Sequence, residues 1–149
     1  MDKNLDSFWG EIEGKGFLKV PEPLFQVLEA LGFTAGEKLV VLGVMSWVRN
    51  EDFVVSVSRK ELEGYAQVVS RTVTRAIIKM REAGMSLDHG PVFGVIGAKA
   101  SRYNLAGFIA TVNTKYLQME KKRIVREMEA YKEKDKHAVR LAAKEEAGA

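Results

Sequence analysis

Two arginines four residues apart, Arg71 and Arg75, stand with Thr72, Thr74 and Lys79 in the stretch VSRTVTRAIIKMREAG, residues 69–84. Guanidinium forks at this spacing share one side of a helix and can grip a pair of acceptors on an anionic partner. The same stretch carries a dry stripe of Val73, Ala76, Ile77 and Met80 at helical spacing. Ser70 is placed to act as N-cap and Gly84 as a left-handed stop. The spacing thus predicts a helix that rests on a core and presents a basic face. A solvated surface helix would show the same pattern, so the neighbouring elements decide between the two.

Other chemistries find no support. The chain has no cysteine, which removes thiolate catalysis, cysteine zinc sites and disulfide scaffolds. His89 and His137 lie far apart with no paired ligand spacing, so no metal and no other cofactor is expected. Gly90, Gly94 and Gly97 lack the strand-to-helix context and Lys-Ser/Thr ending of a phosphate loop. No Ser, His and Asp arrangement suggests nucleophilic catalysis, and the expectation is a protein that is not an enzyme.

With 149 residues and a formal charge of +3, the chain is one domain, or a domain of about 100 residues with an appended helix. Its first thirty residues are net acidic, whereas basic residues collect in residues 69–84 and after Lys115. The polar, acidic start is unlike a signal peptide, and no run of about 18 apolar residues exists, so a soluble cytoplasmic protein without a membrane partner is expected.

The elements that must position the basic face follow from capping and periodicity. A helix is expected over residues 22–31, with Pro23 in its first turn and Gly32 as its stop. Thr34 with Glu37 makes a capping box for a helix over 34–49, whose LVVLGVMSWV is apolar almost all round and should form the centre of the core. Trp47 belongs to that helix as a packing group. The valine-rich residues 53–57 read as a strand, and Ser58 caps a short helix over 59–66. After the basic helix, glycines punctuate two short apolar runs, a β-hairpin with a long tip carrying Lys99 and Arg102. From about Leu105 the pattern is helical, with Leu117, Ile124, Met128 and Tyr131 as a narrow stripe on a charged rod. The closing LAAKEEAGA is expected to fray.

The wording VVSRTVTRAIIKMREAGM resembles the GVSRxTVxRAIxxLxxxGL phrase of winged helix-turn-helix regulators. The downstream SRYNL is similar to the end of the second wing strand in bacterial, phage and plasmid replication proteins of that fold. The resemblance covers roughly residues 22–105. It departs at Gln67, where the family turn has glycine, at Val69, where it has a serine cap, and at Glu63, where it has alanine.

The resemblance implies a mostly α fold with a small β-hairpin wing (α+β), a winged helix-turn-helix with an extended C-terminal helix. The expected organisation is a flexible segment over 1–16, the winged domain over 17–114, and a charged helix and tail over 115–149. It further implies sequence-specific double-stranded DNA binding, either in transcription regulation or in a replication or partition system on a mobile element. Arg71, Thr72, Thr74 and Arg75 would meet base edges or phosphates. Ser70, Lys79, Arg59 and Lys60 would hold phosphates, and Lys99 and Arg102 would act from the wing. The C-terminal helix could form a homodimer by coiled coil, or its Lys121, Lys122 and Arg123 could meet DNA or a partner protein. The alternative function is a protein-interaction module whose C-terminal helix docks a partner.

Overall fold

The computed structural model describes residues 20–48, 51–89 and 100–148. The expected flexible segment over 1–16, the hairpin tip and Lys99 lie outside the described residues. The chain is mostly helical, with a small antiparallel sheet and a long C-terminal helix. Its order is α1 (Leu24–Ala30), α2 (Ala35–Ser46), β1 (Val54–Ser58), α3 (Arg59–Ala66), α4 (Ser70–Glu82), β2 (Ser86–Leu87), β3 (Ala100–Asn104) and α5 (Ala106–Ala147).

Local signals set most of these boundaries. Thr34 accepts from the Glu37 amide and the Glu37 carboxylate accepts from the Thr34 amide, the reciprocal box expected at the start of α2. Ser58 and Glu61 repeat the device at α3. Gly32 and Gly84 follow α1 and α4 with φ of 88° and 112°, a left-handed backbone that glycine adopts without a Cβ penalty. The first helix is shorter than its sequence pattern, since Pro23 stands at the N-cap rather than within the first turn.

The core lies between the helices and one face of the sheet. Val40, Val41 and Val44 of α2 are fully buried and meet Leu62 and Ala66 of α3, Val73, Ala76 and Met80 of α4, and Val55, Val57 and Tyr103 of the sheet. Trp47 packs partly buried against that cluster. In the sheet, β3 is central and pairs antiparallel with both β1 and β2, setting Tyr103 opposite Val55 and Leu87. Close approach of backbones locks α5 to the end of α4: a Cβ on Gly84 would stand 2.7 Å from the Gly107 carbonyl oxygen.

Other boundaries also differ from the sequence pattern. α2 ends at Ser46, short of the expected 49, with Trp47 as its C-cap. Ser70 is the first residue of α4 and not its cap. Val69 takes the N-cap place in an extended conformation with no side-chain bond to the helix, so the capping oxygen is missing. α5 continues unbroken to Ala147, into the segment expected to fray. Residues 140–147 are Arg, Leu, Ala, Lys and Glu with no Gly or Pro, all residues that favour a helix. The division at 114/115 falls inside this continuous helix, and its packing against the other described residues fades near Glu120.

The empty cap gives a direct prediction. Val69 is 68 % exposed and already has the backbone of an N-cap. Val69→Ser should therefore raise the unfolding free energy by about 1 kcal/mol, read from chemical denaturation.

Candidate nucleic-acid interface

Three sets of contacts fix α4, and what they leave open defines the candidate site. Its dry stripe, Val73, Ala76, Ile77 and Met80, is buried as the periodicity predicts. The polar side divides in two at 100° per residue. Thr72 and Lys79 share the flank that faces the start of α2, whereas Arg71, Arg75, Ile78 and Glu82 share a fully solvent-facing strip.

On the α2 flank the Thr72 methyl lies so close to Gly36 that a Cβ there would stand 3.1 Å from it. Lys79 is half-buried and held against the start of α2. Its Nζ donates to the Gly32 carbonyl oxygen at 2.6 Å and to the Glu37 carboxylate, and sits 5.9 Å from the Phe33 ring centroid. Glu37 is only 2 % exposed, so its charge depends on that ammonium and on the Thr34 amide. Burial by itself pushes the Glu37 carboxyl upward. Its hydrogen bonds from Lys79 and Thr34 outweigh this and hold it below its ordinary value of 4.5.

A carboxylate with a lowered folded value stabilises the fold at pH above its unfolded value, and that stabilisation is lost as the pH falls through the lowered one. Thermal stability should therefore fall on the acid side of about pH 4.5. Lys79→Met should cost about 2–3 kcal/mol at neutral pH by stranding the buried carboxylate, with a smaller acid-side loss than wild type. Melting curves of the two proteins across pH check both effects.

On the opposite flank Arg59 reaches from the start of α3 to α4, its Nη1 donating to Thr74 Oγ1 at 2.6 Å. The Thr74 hydroxyl in turn donates to the Ser70 carbonyl oxygen at 3.1 Å. Lys60, next to Arg59, is exposed. Arg71, Arg75 and Lys60 form no ion pair or side-chain hydrogen bond among the described residues. Their donors face solvent above a rigidly seated helix.

The turn between α3 and α4 closes through Gln67, which takes φ 54° and ψ 47°, the left-handed region that glycine would occupy at lower cost. Its Nε2 donates to the Gly64 carbonyl oxygen at 2.6 Å, tying the side chain back onto α3. The turn thus closes with glutamine in the left-handed position, held by that bond.

Arg102 sits on β3, largely enclosed, with its Nε 3.3 Å from the Asp88 carboxylate. That pair crosses from the central strand to the residue after β2, so Arg102 clasps the hairpin. Along α5, Arg123 is bracketed by Glu120 and Glu127, which hold its guanidinium in the charged form and offset part of the expected basic cluster with Lys121 and Lys122.

Of the expected set, then, Arg71, Arg75, Ser70 and Lys60 lie on open surface, and Arg59 and Thr74 border it as a bonded pair. Thr72 is half-buried against α2, and Lys79 and Arg102 are engaged with carboxylates. Sequence reading passed over Ile78, which is 50 % exposed in the open strip between the arginines and Glu82. Its signal was present: it falls off the Val73, Ala76, Ile77 and Met80 stripe, where an apolar residue has no core to meet.

Among the described residues, no helix is long and apolar enough to cross a membrane, and no group of three His, Cys, Asp or Glu is placed to hold a metal ion. No protein-family model, curated protein or solved structure matches the chain.

Proposed function

We propose that the protein is a winged helix-turn-helix DNA-binding protein that lays α4 in the major groove of double-stranded DNA and reads sequence through Arg71 and Arg75. The observation that carries this reading is the open strip of α4: two uncommitted arginines one turn apart, on a helix clamped along both flanks by Arg59–Thr74 and Lys79–Glu37. The order of elements supports it as well, since a three-stranded sheet with a hairpin directly behind α4 is the arrangement the resemblance implies.

The physics is that of groove recognition. A B-DNA major groove admits one α-helix, and an arginine there can donate two parallel bonds to guanine O6 and N7. Ile78, on the same strip, supplies an apolar surface suited to a thymine methyl group. Lys60, Arg59 and Ser70 flank the strip and are placed to hold phosphates, which position the helix without reading sequence. Lys79 supports the helix through Glu37 and is not assigned to DNA. The role is one of binding, without a catalytic step, in a cytoplasmic regulator or in a replication or partition factor of a mobile element.

Selection of bound sequences from a random duplex library tests the proposal. A defined sequence should be enriched, and its affinity should fall with rising salt at a log–log slope of about −4, for about four phosphate or base-adjacent cations. Absence of any enriched sequence together with a slope near zero would contradict it.

A further inference from the structure

Among the described residues, the distal part of α5 has no partner within its own chain. Its proximal part is seated by Phe108, which is buried, and by Ile109 and Val112, which pack on the core. Lys115 and Met119 continue that side along a groove against α1. Leu117, Ile124, Met128 and Tyr131 project from the opposite side of the rod, about 180° away at 100° per residue. They cannot turn toward the domain while Phe108 stays buried. From Lys121 onward every described residue is exposed, and Tyr131 reaches 73 %. A stripe of this kind on a soluble helix marks a missing partner surface.

The stripe runs Leu117, Lys121, Ile124, Met128, Tyr131, Asp135, Ala138 and Ala142, alternating steps of four and three over nearly four heptads. We infer that it pairs with the same stripe of a second copy, antiparallel, about a two-fold axis midway between Met128 and Tyr131. Three features of the sequence select this occupant and this direction. The stripe is apolar except at Lys121 and Asp135, so a parallel register would bury Lys121 against Lys121 and Asp135 against Asp135. The antiparallel register instead brings each Lys121 within about one helical turn of the other copy's Asp135.

Side-chain size agrees. The large end, Leu117 and Lys121, falls against the small end, Ala142 and Ala138, whereas a parallel pair would set alanine on alanine and leave that end loosely packed. An axis between Met128 and Tyr131 also bisects the stripe, so its whole length, about 39 Å at 1.5 Å per residue, is covered at once. At the centre Met128 meets Tyr131 from the other copy twice over. This pairing does not depend on DNA.

Sedimentation equilibrium of the full chain, without DNA, should show a dimer, and Met128→Glu should convert it to a monomer of unchanged helicity. The chain has no cysteine, so single introduced cysteines report direction. A short bis-maleimide should join Leu117→Cys to Ala142→Cys in an equimolar mixture and leave Leu117→Cys alone uncrosslinked. A monomer at every concentration, or a dimer that survives Met128→Glu, would overturn the pairing. Self-crosslinking of Leu117→Cys would overturn its direction.

Discussion

Replacing Arg71 and Arg75 together with alanine is expected to abolish discrimination between the selected DNA sequence and random duplex, while leaving the fold intact. Both side chains are exposed and make no bond to another described residue, so their removal should change stability by no more than about 0.5 kcal/mol. Each bidentate arginine–guanine pair contributes about 1–3 kcal/mol of discrimination, so losing two should lower specific affinity by about 30-fold to 10⁴-fold. Lys60→Ala should behave differently, weakening binding to all sequences alike and making the salt slope shallower by about one. Competition binding against random duplex, with melting curves as control, separates these outcomes.

The largest effect on stability is expected at Gly107. Its added Cβ would overlap the carbonyl oxygen of Gly84, and the opposing atoms are backbone on both sides, with no flexible side chain to move aside. Gly107→Ala should therefore cost about 3 kcal/mol, at the upper end of overpacking effects. For a domain of this size that lowers the melting temperature by roughly 10–20 °C. Gly64→Ala is the matched control. It lies inside α3 with nothing within 4 Å of the new Cβ, so the exchange should stabilise by about 0.5–1 kcal/mol through helix propensity. Opposite signs for two Gly→Ala changes would locate the α4–α5 contact, because propensity alone predicts the same sign for both.

Local chemistry made much of the fold legible. Thr34 with Glu37, Ser58 ahead of Glu61, and the glycines after α1 and α4 each act within a few residues, and each helix begins or ends where they indicate. The dry stripe of α4 was equally readable, since periodicity reports burial directly. Contacts between distant segments were not. Lys79 looks like one more cation on a basic face until folding brings Glu37, 42 residues earlier, beneath it. Nothing in the local sequence around Arg102 announces Asp88 as its partner either.

Departures from the family phrase behaved in different ways. Gln67 adopts the backbone that glycine would take and secures it with a bond to Gly64, whereas Val69 leaves its cap position empty. The site narrowed because Lys79 and Arg102 are engaged with carboxylates and Thr72 packs on α2. An expected band of cations became a strip of two arginines with Ile78 between the arms of a structural clamp.

A double-mutant cycle between protein and DNA tests that strip most directly. Wild type and Arg75→Ala are each titrated with the selected duplex and with a duplex carrying 7-deazaguanine at its guanines, which removes N7 from the major-groove edge. If Arg75 reads guanine, the modified duplex weakens wild-type binding about 5- to 100-fold and weakens the variant far less, a coupling of about 1–3 kcal/mol. Strictly additive losses, with the modified base costing wild type and variant equally, would contradict major-groove reading by Arg75.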